Sequence, residues 1–253
     1  MHMVTRRLLL LASLLLALAL PASAQTLSES EGITGFHGML DGTPNLVAKQ
    51  DQGRSATNAV TTIYDNTTSA PNFAVSSTDL TAYWGDQLLL TGSGLLSTHL
   101  FTIFNSGSSL GTLLTANCQL EFYDTVSSAF LGGYTTSINF GPGGLPQGFF
   151  SIITVTGLDG LAINLPNPDI VVLQTVLSKT GTASRLGIAS LDPPTIGSSF
   201  GDMYIDAATI GGGVPGFYTF AAGPANPGYQ IGIAQPPTNV MSRSWGQLKK
   251  LYR

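Results

Sequence analysis

Charge is the scarcest commodity in this 253-residue chain. Only 9% of the residues are Asp, Glu, Lys or Arg, against roughly 25% in an average soluble protein. Ten basic residues face 14 acidic ones, a net charge of −4, which excludes the basic footprint of a nucleic-acid binder. The same scarcity excludes a coiled coil, a long helical bundle and a highly charged disordered chain. Cysteine is rarer still. Cys118 stands alone, so no intrachain disulfide can form and stability must come from a core. Histidine offers little more: beyond residue 24 only His37 and His99 remain, with no Cys or His at the spacing of a zinc site.

Hydroxyls take the place of charge. The chain has 28 Thr, 24 Ser, 30 Gly and 14 Pro, and 43% of it is hydrophobic. Thr suits half-buried pleated strands, while Ser, Gly and Pro suit turns, so the composition predicts an all-β protein. From residue 59 to 235, apolar or alternating runs recur every 10 to 15 residues between Gly, Pro, Asn, Asp and Ser clusters. Tyr134, Thr136, Ile138 and Phe140 fall on one strand face; Thr135, Ser137 and Asn139 fall on the other. Tyr229, Ile231 and Ile233 alternate in the same way. About a dozen strands with no helical pattern between them predict antiparallel pairing in a β-sandwich of jelly-roll type. Cys118 shares a face with Leu120 and Phe122 and reads as a buried structural thiol.

The flanks read differently. Residues 1–24 have Arg6 and Arg7, a Leu-rich run too short to span a bilayer, Pro21, and Ala22-Ser23-Ala24 before Gln25. They are expected to be a secretory signal peptide that is cleaved after Ala24. Residues 25–58 form a polar leader, expected to be partly disordered or a loosely added edge segment. Residues 236–253 begin with Pro236 and Pro237, a stiff spacer. Trp245, Leu248 and Tyr252 then stand at i, i+3 and i+7, which predicts a short amphipathic C-terminal helix. Arg243, Lys249, Lys250 and Arg253 make it the basic cluster of the chain. That tail suits packing on the sandwich, a sorting signal, or contact with an anionic surface.

Sites of chemistry are few. Gly107-Ser108-Ser109-Leu110-Gly111 matches the G-x-S-x-G elbow of α/β-hydrolases, but no helix pattern follows Ser109 and both histidines precede it. Glu121 faces outward from its strand with no second carboxylate paired to it, as a glycosidase needs. A structural calcium would draw on Asp192, Asp202 and Asp206, since residues 59–234 carry two basic against ten acidic groups, a net charge of −8. Asn66-Thr67-Thr68 is formally a glycosylation sequon. Tyr83, Trp84, Tyr204, Tyr218 and Tyr229 are the rings with which the chain would stack on a sugar.

Several segments carry a likeness. Tyr64-Asp65-Asn66-Thr67, Trp84-Gly85-Asp86, Leu191-Asp192-Pro193-Pro194-Thr195-Ile196-Gly197-Ser198-Ser199, Gly216-Phe217-Tyr218-Thr219-Phe220 and Gly223-Pro224-Ala225-Asn226 resemble uncharacterised bacterial β-sandwich ectodomains of the PEP-CTERM and choice-of-anchor surface-protein type. The resemblance covers about residues 60–234. It implies export and residence at a cell surface or matrix, and brings no catalytic residues with it. The family's usual anchor, Pro-Glu-Pro before an apolar span and an arginine cluster, is not matched in the tail. The leading expectation is therefore an exported, non-enzymatic surface or matrix sandwich without a cofactor, with surface glycan or sorting machinery as partner. A carbohydrate-binding module and a hydrolase are the alternatives.

Overall fold

Alternating Thr-rich runs become strands because one face can be buried while the other keeps its hydroxyls in water. The computed structural model describes residues 25–27, 30–45, 59–108 and 111–235. Residues 1–24, expected to be a signal peptide, Ser109 and the C-terminal tail with its expected helix lie outside them. Among the described residues there are 17 strands, four of which have only two or three residues, and two short 3₁₀ turns.

One sheet has nine strands. It runs β1 (Gln25–Leu27), β16 (Gly216–Phe220), β15 (Met203–Asp206), β6 (Tyr83–Leu89), β12 (Asp169–Gly181), β8 (Leu113–Asp124), β9 (Phe130–Asn139), β3 (Thr43–Asn45), with β14 (Ser198–Ser199) also on β6. The other has eight. Its path is β2 (Gly35–Asp41), β10 (Phe149–Val155), β7 (Gly94–Asn105), β13 (Leu186–Leu191), β5 (Pro71–Ser77). On β7 also lie β11 (Asn164–Leu165) and β17 (Tyr229–Ala234), and β4 (Val60–Asp65) pairs with β17. The chain crosses between the sheets repeatedly, and the main core lies between them. Leu120, Phe122, Val172, Trp84 and Leu88 meet Phe101, Ile103, Ile153, Ile188 and Ile231 there. The predicted alternation holds on β9, where Tyr134, Thr136 and Ile138 are buried and Asn139 is exposed.

Two features depart from the expected pattern. Pairing is not wholly antiparallel: β1 lies parallel to β16 and β2 parallel to β10. Both are leader strands, which reach the sheets through long connections and so escape the antiparallel rule of hairpins. Glu121 does not reach water either, at 2% exposed. Gln119 Nε2 donates to its Oε1 at 2.5 Å and the Tyr123 hydroxyl to its Oε2 at 2.8 Å. Its strand is flanked by β12 and β9, so neighbouring side chains close over it.

The described part of the leader is built into the sandwich. Glu31 bridges to Ala74 of β5 through both backbone groups. Its carboxylate accepts from the Ser76 hydroxyl at one oxygen and from Ser106 at 2.6 Å at the other, with Arg185 at 3.6 Å. Glu31→Ala leaves two buried hydroxyls and Arg185 without that acceptor, worth about 1–3 kcal/mol. The expected result is faster amide exchange across β2, measured by hydrogen–deuterium exchange, with protection of β8 and β12 unchanged. Equal protection of β2 in the variant would contradict it.

Candidate functional site

The segments that carry the family likeness are scattered in sequence and converge in space. Residues 64–67 close β4, Asp86 lies in β6, residues 191–199 follow β13, and residues 223–226 precede β17. Asn66 is fully buried and ties three of them together. Its Nδ2 donates to Leu191 O at 2.8 Å and Pro227 O at 2.9 Å, and its Oδ1 accepts from Tyr229 N at 2.7 Å. Asp65 adds backbone bonds to Thr195 and Ile196, and its carboxylate accepts from Thr67 and Gln230. Asx-type side chains favour such local and loop-spanning bonds over regular pairing. Gly197 then takes a positive φ of 76°, where a Cβ would meet Leu89 O at 2.6 Å. Only glycine fits that turn. It delivers Ser199 to the interior.

There Ser199 Oγ lies 2.8 Å from Asp86 Oδ2 and 2.5 Å from Asn226 Oδ1. The Asn226 amide is oriented, because its Nδ2 donates to Asp192 Oδ1. One hydroxyl proton cannot satisfy two acceptors. The proton count closes when Asp86 is a neutral acid: Asp86 donates to Ser199, Ser199 to Asn226, and Asn226 to Asp192. Burial, the first cause, agrees with this by raising the Asp86 carboxyl well above its ordinary range; a Ser199 bond donated to the ionised form would oppose the rise, and the negative charge of Asp202 adds to it. Asp202 is itself raised by burial. Asp86 Oδ1 and the hydroxyls of Tyr64 and Tyr229 have no hydrogen-bond partner among the described residues. Burial first and Asp86 second raise both tyrosines.

A second polar thread crosses the core nearby. His99 Nδ1 lies 2.8 Å from the Tyr134 hydroxyl, and the His99 ring packs against Phe122 and Tyr229 at 5.3 and 5.5 Å. Complete burial lowers the imidazole to about 3. It is therefore neutral at any ordinary pH, and it is sealed from a dissolved substrate.

The residues singled out in the sequence fare unevenly. The stacking rings are not a platform: Trp84, Tyr204, Tyr218 and Tyr229 are at most 3% exposed. Tyr204 packs edge-on to Phe217 at 5.4 Å and the Tyr218 hydroxyl donates to Val214 O, while half-buried Tyr83 packs beside Tyr204. Large rings in a low-charge chain are drawn into packing, and these four present no ring face to a sugar. Nor do Asp192, Asp202 and Asp206 form a cation cage. Asp206 sits opposite Tyr83 on β15, Asp192 is bound into the Asn226 relay, and among the described residues no three acidic, His or Cys side chains group as a metal set. Asn66 cannot be a glycosylation acceptor, since its amide nitrogen is buried and engaged. The G-x-S-x-G segment joins strands β7 and β8 rather than leading into a helix, so no nucleophile elbow forms. Cys118 is buried, which pushes its thiol up to about 12. Trp245, Leu248, Lys249, Lys250, Tyr252 and Arg253 lie outside the described residues.

Comparison with protein-family models, with curated proteins and with solved structures gave no match. No helix among the described residues is long and apolar enough to cross a membrane. Asp86, Ser199 and Asn226 had no individual role in the sequence reading, and Asn66 figured there only as a sequon. They were visible as motif letters, and the one available signal was that Asp and Asn recur in segments otherwise poor in charge.

Proposed function

We propose that this chain is an exported, non-enzymatic β-sandwich that serves as a structural component of a bacterial cell surface or extracellular matrix. The observation that carries this reading is how the motif residues are spent. Asn66, Asp86 and Asn226 are at most 2% exposed, and Asn66 Nδ2, Asp86 Oδ2 and Asn226 Nδ2 are bonded within the same chain. A catalytic constellation must instead present a nucleophile or base within hydrogen-bond reach of a substrate. A surface sandwich without disulfides has a different need, which is long-lived loops, and the network supplies them. The resemblance to surface-protein ectodomains and the Leu-rich first segment support export.

Fractionation of producing cells tests it. The protein is expected in the surface or matrix fraction, with Gln25 as its first residue on N-terminal sequencing. Recovery in the cytosol, or in the membrane fraction with Met1 retained, would defeat the proposal.

A further inference from the structure

Outside the eight-stranded sheet runs an open apolar groove of about 390 Å³, lined by Ile33, Phe36, Thr67, Pro71, Phe150 and Ile152 among others. Its floor is the outward face of β10, where Phe150 and Ile152 belong to a second apolar cluster with Leu100, Phe104 and Leu191. Phe36 stands on the rim, 5.2 Å from the Phe150 ring yet 49% exposed, and Met39 of the same edge strand is 61% exposed. Among the described residues only Phe130 and Phe200 have rings about as exposed as that of Phe36, and Phe36 and Met39 on one edge strand form an uncovered apolar surface.

We propose that the chain's own C-terminal segment, residues 236–253, folds back over this groove, with Trp245 and Leu248 seated against Phe36 and Phe150. Position and reach support this occupant. The last described residue, Gln235, is bonded to Ala59 O at the end of β17. The register of β17 on β7 sets Ile233 against Leu96, and that of β10 sets Ile152 against Thr102 on the opposite side of β7. The groove therefore lies two strand spacings across and about eight residues along from Gln235, roughly 28 Å in all. Ten extended residues span about 33 Å, enough to bring Trp245 there. Charge fits as well. The segment carries Arg243, Lys249, Lys250 and Arg253, and no lining residue of the groove is basic. Exposed Asp41, two residues beyond Met39, ends β2 and supplies the acidic side of that edge. Trp245, Leu248 and Tyr252 then supply the apolar face that the groove lacks, and the lysines stay at its acidic rim.

The exported protein, purified with its C-terminus intact, provides a direct test. It has two tryptophans, and Trp84 is already 3% exposed, so acrylamide quenching beyond that of Trp84 reports Trp245. Both are expected to be shielded, and Phe36→Ser, on an exposed edge, should raise quenching severalfold without changing the circular dichroism. Truncation after Gln235 should lower the Tm by several degrees. Phe36→Ser should also lower Tm in the full-length protein but have little further effect in the truncated one, because the two changes remove the same contact. Trp245 quenched like free tryptophan, additive Tm changes, or shielding that appears only as sedimentation reports dimers would each overturn the proposal. The last outcome would give the groove to a second copy's tail.

Discussion

Asn66→Ala is expected to remove most of the folding stability of this protein. The substitution strands Leu191 O, Pro227 O and Tyr229 N in a fully buried setting, where each was bonded at 2.7–2.9 Å. An unsatisfied buried polar group costs about 1–3 kcal/mol, so the three together cost about 3–9 kcal/mol. Whole domains have only about 5–15 kcal/mol to lose. Urea unfolding should show the midpoint falling by roughly half or more, or no folded baseline at all. Asn66→Asp should be nearly as damaging, since it keeps the acceptor for Tyr229 N but turns the double donor into another acceptor facing two carbonyls. Asn72→Ala is the control. That residue is exposed and makes a single 3.4 Å bond, so its loss should stay within about 0.5 kcal/mol. Equal small effects at positions 66 and 72 would refute the staple.

The second large effect is in alkaline solution. In the unfolded chain the Asp86 carboxyl loses its proton near pH 4, whereas burial holds that proton in the native state to a much higher pH. Between those limits the native state binds one more proton than the unfolded one, and stability falls as pH rises, by about 1.4 kcal/mol per unit. Asp202, also raised by burial, acts in the same direction. His99 acts in the opposite one. Its native imidazole stays neutral down to about 3, so its contribution is lost on acidification from about pH 6.5 and is level above it. The opposing slopes largely offset one another between about pH 4 and 6.5. Above that range the raised Asp86 carboxyl acts without that opposition. Wild type should thus lose stability as the pH rises above about 6.5. Asp86→Asn keeps a donor toward Ser199 without a titrating proton, so it should reduce that slope by about 1.4 kcal/mol per unit and overtake wild type in mild alkali. Parallel stability curves for the two proteins over this range would show that Asp86 is ionised in the native state.

Legibility differed sharply between fold and site. The β9 alternation could be read from the residues because burial on a strand follows a period of two, and Tyr134, Thr136 and Ile138 obey it. Local period failed for Glu121, because closure over an outward face is set by Gln119, Tyr123 and the adjoining strands. The contacts of the leader were hidden for a related reason. Glu31 sits in polar sequence without period, yet its acceptors suit Ser76 and Ser106, which lie 45 and 75 residues away. The ring candidates were chosen by residue type, and residue type cannot separate a ring needed by a core from one presented to a ligand.

The all-β class, the lack of any intrachain disulfide, the strand periodicity and the two chemically distinct ends could all be read from the residues alone, because composition and nearest-neighbour spacing govern each of them. Tertiary structure alone decided which strands neighbour one another, that two leader strands pair in parallel, that Asp192 meets Asn226 and Ser199 meets Asp86, and that Asp202 and Asp206 take separate places. Asp192 and Asn226 are 34 positions apart and Asp86 and Ser199 are 113 apart, and pairing over such distances depends on the register of the whole sandwich rather than on any local preference.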